Sequence, residues 1–184
     1  MNYYGAKDLA AAFRTVRNNT LKIAEEIPED KYSFRPAEAS RSVGELLCHV
    51  AFGSKFAEAI HFVDRRDSFE GFDYMAFMAP ILAEPLKPRS KAELIDLLQS
   101  EGERFAKHLE SASEDLLGQS LQMPPGAIPS SRTRFDMLAS VKEHEMHHRG
   151  QLMLMERMLG ITPHLTRENE ARRAAMLARQ QQTA

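Results

Sequence analysis

Four stretches of this chain bring an apolar residue back every three to four positions, and none of comparable length alternates apolar with polar. That period is the helical one, so the chain reads as all-α. The first stripe carries Leu9, Phe13, Val16, Ile23, Ala24 and Ile27 and stops at Pro28, which predicts a helix over about residues 6–27. Ser42 and Glu45 form a Ser-x-x-Glu capping box ahead of Leu46, Leu47, Val50, Phe56 and Ile60, opening a second helix that runs to about Val63. Ser90 and Glu93 repeat the device before Leu94, Leu97, Leu98, Phe105 and Leu109. Thr133, with Asp136 in the first turn, opens the longest helix, which continues through Met137, Leu138, Val141, Leu152, Met155 and Leu159 to Gly160, with Pro163 beyond. Four amphipathic helices of similar length can hide their apolar faces only against one another, so the expected fold is a four-helix bundle.

The connections differ in character. Residues 28–41 form a Pro-containing link, and 119–132 a loop rich in Pro, Gly and Ser. Residues 64–89 hold Phe69, Phe72, Tyr74, Phe77 and three prolines, and read as a short helix or lid over one bundle end, with a plain connector the equal alternative. Thr166 to Gln182 is a polar tail, helical from Arg167, without a full apolar face. The organisation is thus one domain over 1–165 and a polar helical tail over 166–184. With 43% apolar and 27% charged residues in 184, the chain can bury a sizeable core.

Charge and cysteine content exclude several partners. Lys and Arg total 24 against 26 Asp and Glu, and no basic run is present to neutralise a row of phosphates, so nucleic acid is not an expected partner. The uncharged run Tyr74 to Ala83 contains Pro80 and falls far short of the ~20 residues of a membrane helix, so no membrane partner is expected. The N-terminus lacks a charged head followed by an apolar core, and Cys48 is the only cysteine, so a cytoplasmic location without a disulfide is expected.

The informative stretch is Glu143-His144-Glu145-Met146-His147-His148-Arg149-Gly150-Gln151. His144 and His148 are four apart, about 40° around a helix, so both can reach one ion. They lie between Val141 and Leu152 on the apolar side, where an unpartnered ring nitrogen costs about 1–3 kcal/mol and a metal satisfies one nitrogen on each ring. A pair does not complete a site, since transition metals take three or four ligands. His49, in line with Leu46, Gly53 and Phe56, is the strongest third candidate; His61 and His108 are weaker, and His164 falls in a loop beyond Gly160. A lone His49 is more often a satisfied core or surface histidine than a ligand. His147 suits exposure or a supporting hydrogen bond, Cys48 a small buried thiol, and the methionines at 153, 155 and 158 core filler. Glu145 reads equally as a base beside the metal or as a solvated charge. Gly150 breaks a helix rule at about 1 kcal/mol, which predicts close packing nearby.

His144-Glu145-x-x-His148 also matches the zinc-protease pattern, in which the glutamate is the general base. The context disagrees. A metzincin has glycine and histidine where this chain has Gln151 and Leu154, and Glu168 and Glu170, at a tolerable distance for a third ligand, lie in the polar tail.

The chain resembles the DinB-like (DNA-damage-inducible or YfiT-like) metalloenzyme family. The resemblance rests on Ile27-Pro-Glu-Asp-Lys-Tyr-Ser-Phe-Arg-Pro36, on Arg41-Ser-Val-Gly-Glu-Leu-Leu-Cys-His49, and on His144-x-x-His147-His148-Arg149-Gly150-Gln151-Leu152 followed by Leu159-Gly160-Ile161-x-Pro163. These occur in the family's order over residues 5–163. The resemblance implies a four-helix bundle with a long crossover, a homodimer, and one divalent transition metal (zinc or nickel, with iron a further option) held by His49, His144 and His148. Some relatives are S-transferases or isomerases that use a low-molecular-weight thiol. The leading expectation is therefore a metal-dependent enzyme that activates a small thiol toward an electrophile, with Glu145 or a metal-bound hydroxide as base. Water as nucleophile is the hydrolase variant, and a non-catalytic metal-binding stress protein is the alternative from another class.

Overall fold

The computed structural model describes residues 4–182. Helix α1 (Ala6–Glu26) begins at Gly5, whose N–H donates to Asp8 Oδ2 at 3.0 Å, and ends before Pro28. Helix α2 (Val43–Val63) begins with the predicted box: the Glu45 N–H donates to Ser42 Oγ, and the Ser42 N–H to Glu45 Oε2. Helix α3 (Tyr74–Ala83) is capped by Asp73 and lies on the surface with no buried residue. Helix α4 (Lys91–Ser111) starts from the second box, and a short α5 (Glu114–Gly118) follows it. Strands β1 (Ser120–Gln122) and β2 (Ser131–Thr133) pair antiparallel, with Leu121 opposite Arg132. Helix α6 (Arg134–Met158) is capped by Thr133, and α7 (His164–Gln182) closes the described chain.

The four long helices α1, α2, α4 and α6 form the bundle. α1 packs against α4 and α6, and α2 packs against the same pair, so α1 and α2 stand at opposite corners. The link 28–41 therefore crosses one end of the bundle, the crossover that the family resemblance implied. The core has two large apolar halves and a small third cluster of Ile60, Leu121 and Met137 beside the aromatic segment. One half gathers Ile23, Ile27, Leu46, Leu47, Leu98 and Leu152, and the other Leu9, Phe13, Phe105, Leu109 and Leu138. Between Phe13 and Ile23 on α1 lies Arg17, buried, so a polar layer separates the halves.

Several expectations need correction. The second helix does run to Val63, but it is not regular: Val43–Phe52 is followed by a break at Gly53 and Ser54, a turn over Lys55–Glu58 and a π-helical turn over Ala59–Val63. Val43–Val63 is also the stretch most like a membrane span by length and composition, with a mean hydropathy of 1.2, rather than Tyr74–Ala83. Its apolar side is taken up inside the protein, with Val43, Leu46, Leu47, Val50, Ala51 and Ile60 all buried. The loop 119–132 contains the β1–β2 hairpin, whose three-residue strands bury only Leu121 and are too short to show a period of two. His164 is not in a loop: it is buried at the start of α7, three residues ahead of the helical start read from the sequence. A Cβ at Gly150 would meet nothing within 4 Å, so that glycine does not serve close packing.

Candidate metal centre

The local folding of α2 and α6 sets the site. His49 is on the last regular turn of α2 before the break, and His144 and His148 are one turn apart on α6. Their three Nε2 atoms form a triangle with every side 3.1 Å. Atoms so spaced can all lie ~2.0–2.1 Å from one point, the bond length of an imidazole–metal contact. These three form the one candidate metal-holding group of His, Cys, Asp or Glu found among the described residues.

The electrostatics favour neutral rings with free lone pairs. Burial, then the charge of Arg41 and the neighbouring imidazoles, push His49 down to about 3. Burial first, then the neighbouring imidazoles, push His144 down to about 4. His148 is lowered as well, chiefly by burial, against the opposing effect of Gln151. That glutamine fixes the His148 tautomer: the His148 Nδ1–H donates to Gln151 Oε1 at 2.9 Å, which leaves Nε2 unprotonated and able to ligate. The Gln151 amide in turn donates to His147 Nε2 at 3.1 Å, so His147 supports the site from outside the triangle. Neutral, converging, unprotonated donors on separate helices are the chemistry a divalent metal requires, and the residues fit such an ion.

Gly53, at the break in α2, borders this site. A Cβ at Gly53 would lie 3.1 Å from His144 Nδ1 and 3.2 Å from its Cε1. The glycine lets His144 pass close to α2, and a Cβ there would press the ring aside by a few tenths of an ångström.

Glu145 is placed differently from the expectation of a base beside the metal. The core row of α6 runs Leu138, Val141, Glu145, His148, Leu152, and His144 is half-buried at its edge. Glu145 is 2% exposed and accepts from Arg17 through both oxygens, at 2.9–3.1 Å. Arg17 also donates to the Leu98 carbonyl at 2.7 Å and the Val50 carbonyl at 3.2 Å, so one guanidinium ties all four bundle helices. A carboxylate engaged in this way is a structural group, and the base assignment is withdrawn. Gly102 makes room for it: a Cβ there would meet Arg17 Cγ at 2.9 Å.

The weaker candidates lie elsewhere. His61 is buried against Arg134, His108 stacks on Phe62 with centroids 5.0 Å apart, His164 faces Asn19, and Glu168 pairs with Lys22. Cys48 is buried, its thiol pushed up by burial, with an Arg89 nitrogen 3.2 Å from Sγ.

Space for a reactant borders the triangle. A cavity of about 590 Å³ is walled by His144, Gly53, Phe56, His61, Phe72 and Met137, among others. A second, of about 290 Å³, lies between His49, His144 and the inner side of α3, with Met78 and Ile81. Phe56 is the hub of the wall, packing on Phe69, Phe72, Tyr74 and Phe77 at centroid distances of 5.4–6.1 Å. The aromatic segment 64–89 therefore covers the site, with α3 as its helical part.

A four-helix bundle whose first two long helices are joined across its diagonal, with three inward histidines from two helices, defines the class. The chain belongs to the DinB superfamily, whose family model matches residues 12–152. It is 28% identical to YjoA of Bacillus subtilis over 161 residues, spanning 85% of this chain and 92% of that one. The crystal structure of YjoA, a DinB-like protein, superposes with a TM-score of 0.61 at 26% identity, covering 84% of this chain and 92% of YjoA. YfiT of the same organism, described as a probable metal-dependent hydrolase with an unusual four-helix bundle topology, shares the fold at a TM-score of 0.63 and 14% identity, covering 85% and 89% of the two chains.

Proposed function

We propose that the protein is a metal-dependent enzyme: His49, His144 and His148 hold one divalent transition metal ion, zinc or nickel before iron, and a small thiol or water attacks an electrophile seated in the aromatic cavity. The observation that carries this reading is the triangle of Nε2 atoms at 3.1 Å, with His144 shared between the triangle and both cavities. An ion on three neutral rings keeps its full charge and, when bound, lowers the pKa of a thiol or water beside it.

The chain's own residues do the rest. Gln151 holds His148 in the ligating tautomer, and Gly53 lets His144 reach the same point. Phe56, Phe72 and Met137 supply apolar contact to the electrophile and keep bulk water from it. Glu145 contributes order through its ion pair with Arg17. Water as nucleophile is favoured by the description of YfiT as a probable metal-dependent hydrolase, while a thiol rests on what the family resemblance in the sequence implies.

Elemental analysis of tag-free protein followed by a screen of small thiols with monochlorobimane tests the reading. The expected result is about one metal per chain, lost in His148→Ala, with conjugation or hydrolysis only in the loaded protein. Stoichiometric metal without turnover of any thiol or ester would instead support a non-catalytic metal-binding role.

A further inference from the structure

The larger cavity has apolar walls for most of its surface, and the π-turn of α2 adds His61 to them. The ring is wholly buried, and its orientation is dictated from one side, because Nδ1 lies 3.2 Å from a guanidinium nitrogen of Arg134. A guanidinium only donates, so Nδ1 accepts and the ring proton is on Nε2. Arg134 is fixed in turn by Gln119 Oε1 at 3.1 Å and the Arg66 carbonyl at 2.7 Å, which leaves it no freedom to release the imidazole. Burial, then the charge of Arg134, push His61 down to about 4, so the ring is neutral near pH 7. The Nε2–H is buried with no hydrogen-bond partner among the described residues. Leaving a buried donor unmade costs ~1–3 kcal/mol, and native proteins do so rarely without a use for it.

We infer that His61 is a specificity residue of this cavity, donating its Nε2–H to an uncharged oxygen of the substrate, so that the substrate class is a compact aromatic or ring-bearing molecule with a carbonyl. The inference deepens the proposed function, resting on the cavity as the electrophile's seat. An uncharged acceptor is preferred over an anion because the nearest wall is aromatic and aliphatic, and Arg132 at the cavity edge is engaged with Asp136 at 2.6 Å.

The test measures binding of 1-acetylnaphthalene, 1-ethylnaphthalene and 1-naphthoate to the full chain by equilibrium dialysis, with and without zinc. Wild type is expected to favour the ketone over the hydrocarbon by roughly tenfold, the range of one neutral hydrogen bond. Two variants separate the roles of the ring. His61→Asn keeps an acceptor for Arg134 at the position of Nδ1 and removes the donor, and the preference should vanish while the fold stands. His61→Gln places an amide N–H near the position of Nε2 and should restore most of it. Equal binding of ketone and hydrocarbon by wild type, an unchanged preference in His61→Asn, or naphthoate as the tightest ligand would each overturn the assignment. Because dialysis needs no turnover, the two readings fail separately: ketone preference without any catalysis keeps this inference and removes the enzyme, and metal-dependent catalysis without preference does the reverse.

Discussion

Two polar clusters sit at one level of the bundle on consecutive residues of α6, His144 and Glu145, and they are finished in opposite ways. On the Glu145 side all polar atoms are partnered: both carboxylate oxygens meet Arg17, and the guanidinium's remaining reach goes to backbone carbonyls of α2 and α4. On the His144 side three ring nitrogens face one point, with no cation or carboxylate among the described residues bonded to them. A polar group buried for architecture is satisfied by its own protein, and one buried for chemistry is left open toward a visitor. The two arrangements touch different parts of the same helix turn, so perturbing one need not disturb the other.

The largest effect should come from the closed cluster. Glu145→Ala leaves Arg17 charged, buried and unpaired, and urea unfolding should show a loss of about 3–5 kcal/mol. The double change Arg17→Leu with Glu145→Leu should be far milder, since no orphaned charge remains. A double variant as unstable as the single one would break the comparison.

The open cluster should answer in affinity instead of stability. Gln151→Leu removes the acceptor that orients His148, and metal titration should show an affinity lower by roughly ten- to hundredfold, with an unfolding midpoint little changed in the metal-free protein.

A third polar site, where α6 meets α7, is finished by neither route. Glu156 is wholly buried with both oxygens unpartnered, and burial together with nearby Glu26 pushes its carboxyl up to about 7 against the moderating charges of Arg157 and Arg167. A carboxyl raised in the folded state holds its proton longer there than in the unfolded chain. Its contribution is fully present below the ordinary value of 4.5 and is lost as pH rises through about 7. Glu156→Gln should therefore raise stability at pH 8 by on the order of 1–2 kcal/mol and change it little at pH 4, flattening the profile measured by thermal melts.

The smallest effect belongs to Gly150, which lies on α6 near both clusters and touches neither. Gly150→Ala should stabilise by about 1 kcal/mol through helix propensity, with metal content unaltered.

These contrasts mark what could be read from residues alone. The four helices were legible because capping boxes at Ser42 and Ser90 and the stop at Pro28 are local signals, and local signals survive tertiary packing. The histidines of α6 were legible through their spacing, whereas His49 needed knowledge of which helices are neighbours. Arg17 and Glu145 each interrupt an apolar row at core spacing, and that interruption was the available signal for the buried pair. It was overlooked because the adjacent His-Glu-x-x-His pattern suggested a catalytic role for the same glutamate. The break at Gly53 and the π-turn at His61 had no comparable mark, and the side chains these positions meet, His144 and Arg134, come much later in the chain.

His49 and His144 are 95 residues apart on α2 and α6, and α4, which lies between them in the chain, packs against both α1 and α2. Synthesis from residue 49 to residue 143 leaves His49 as a single member of the trio, and the other two follow within one helical turn. Any ion held there would report that this long-range contact between α2 and α6 has formed.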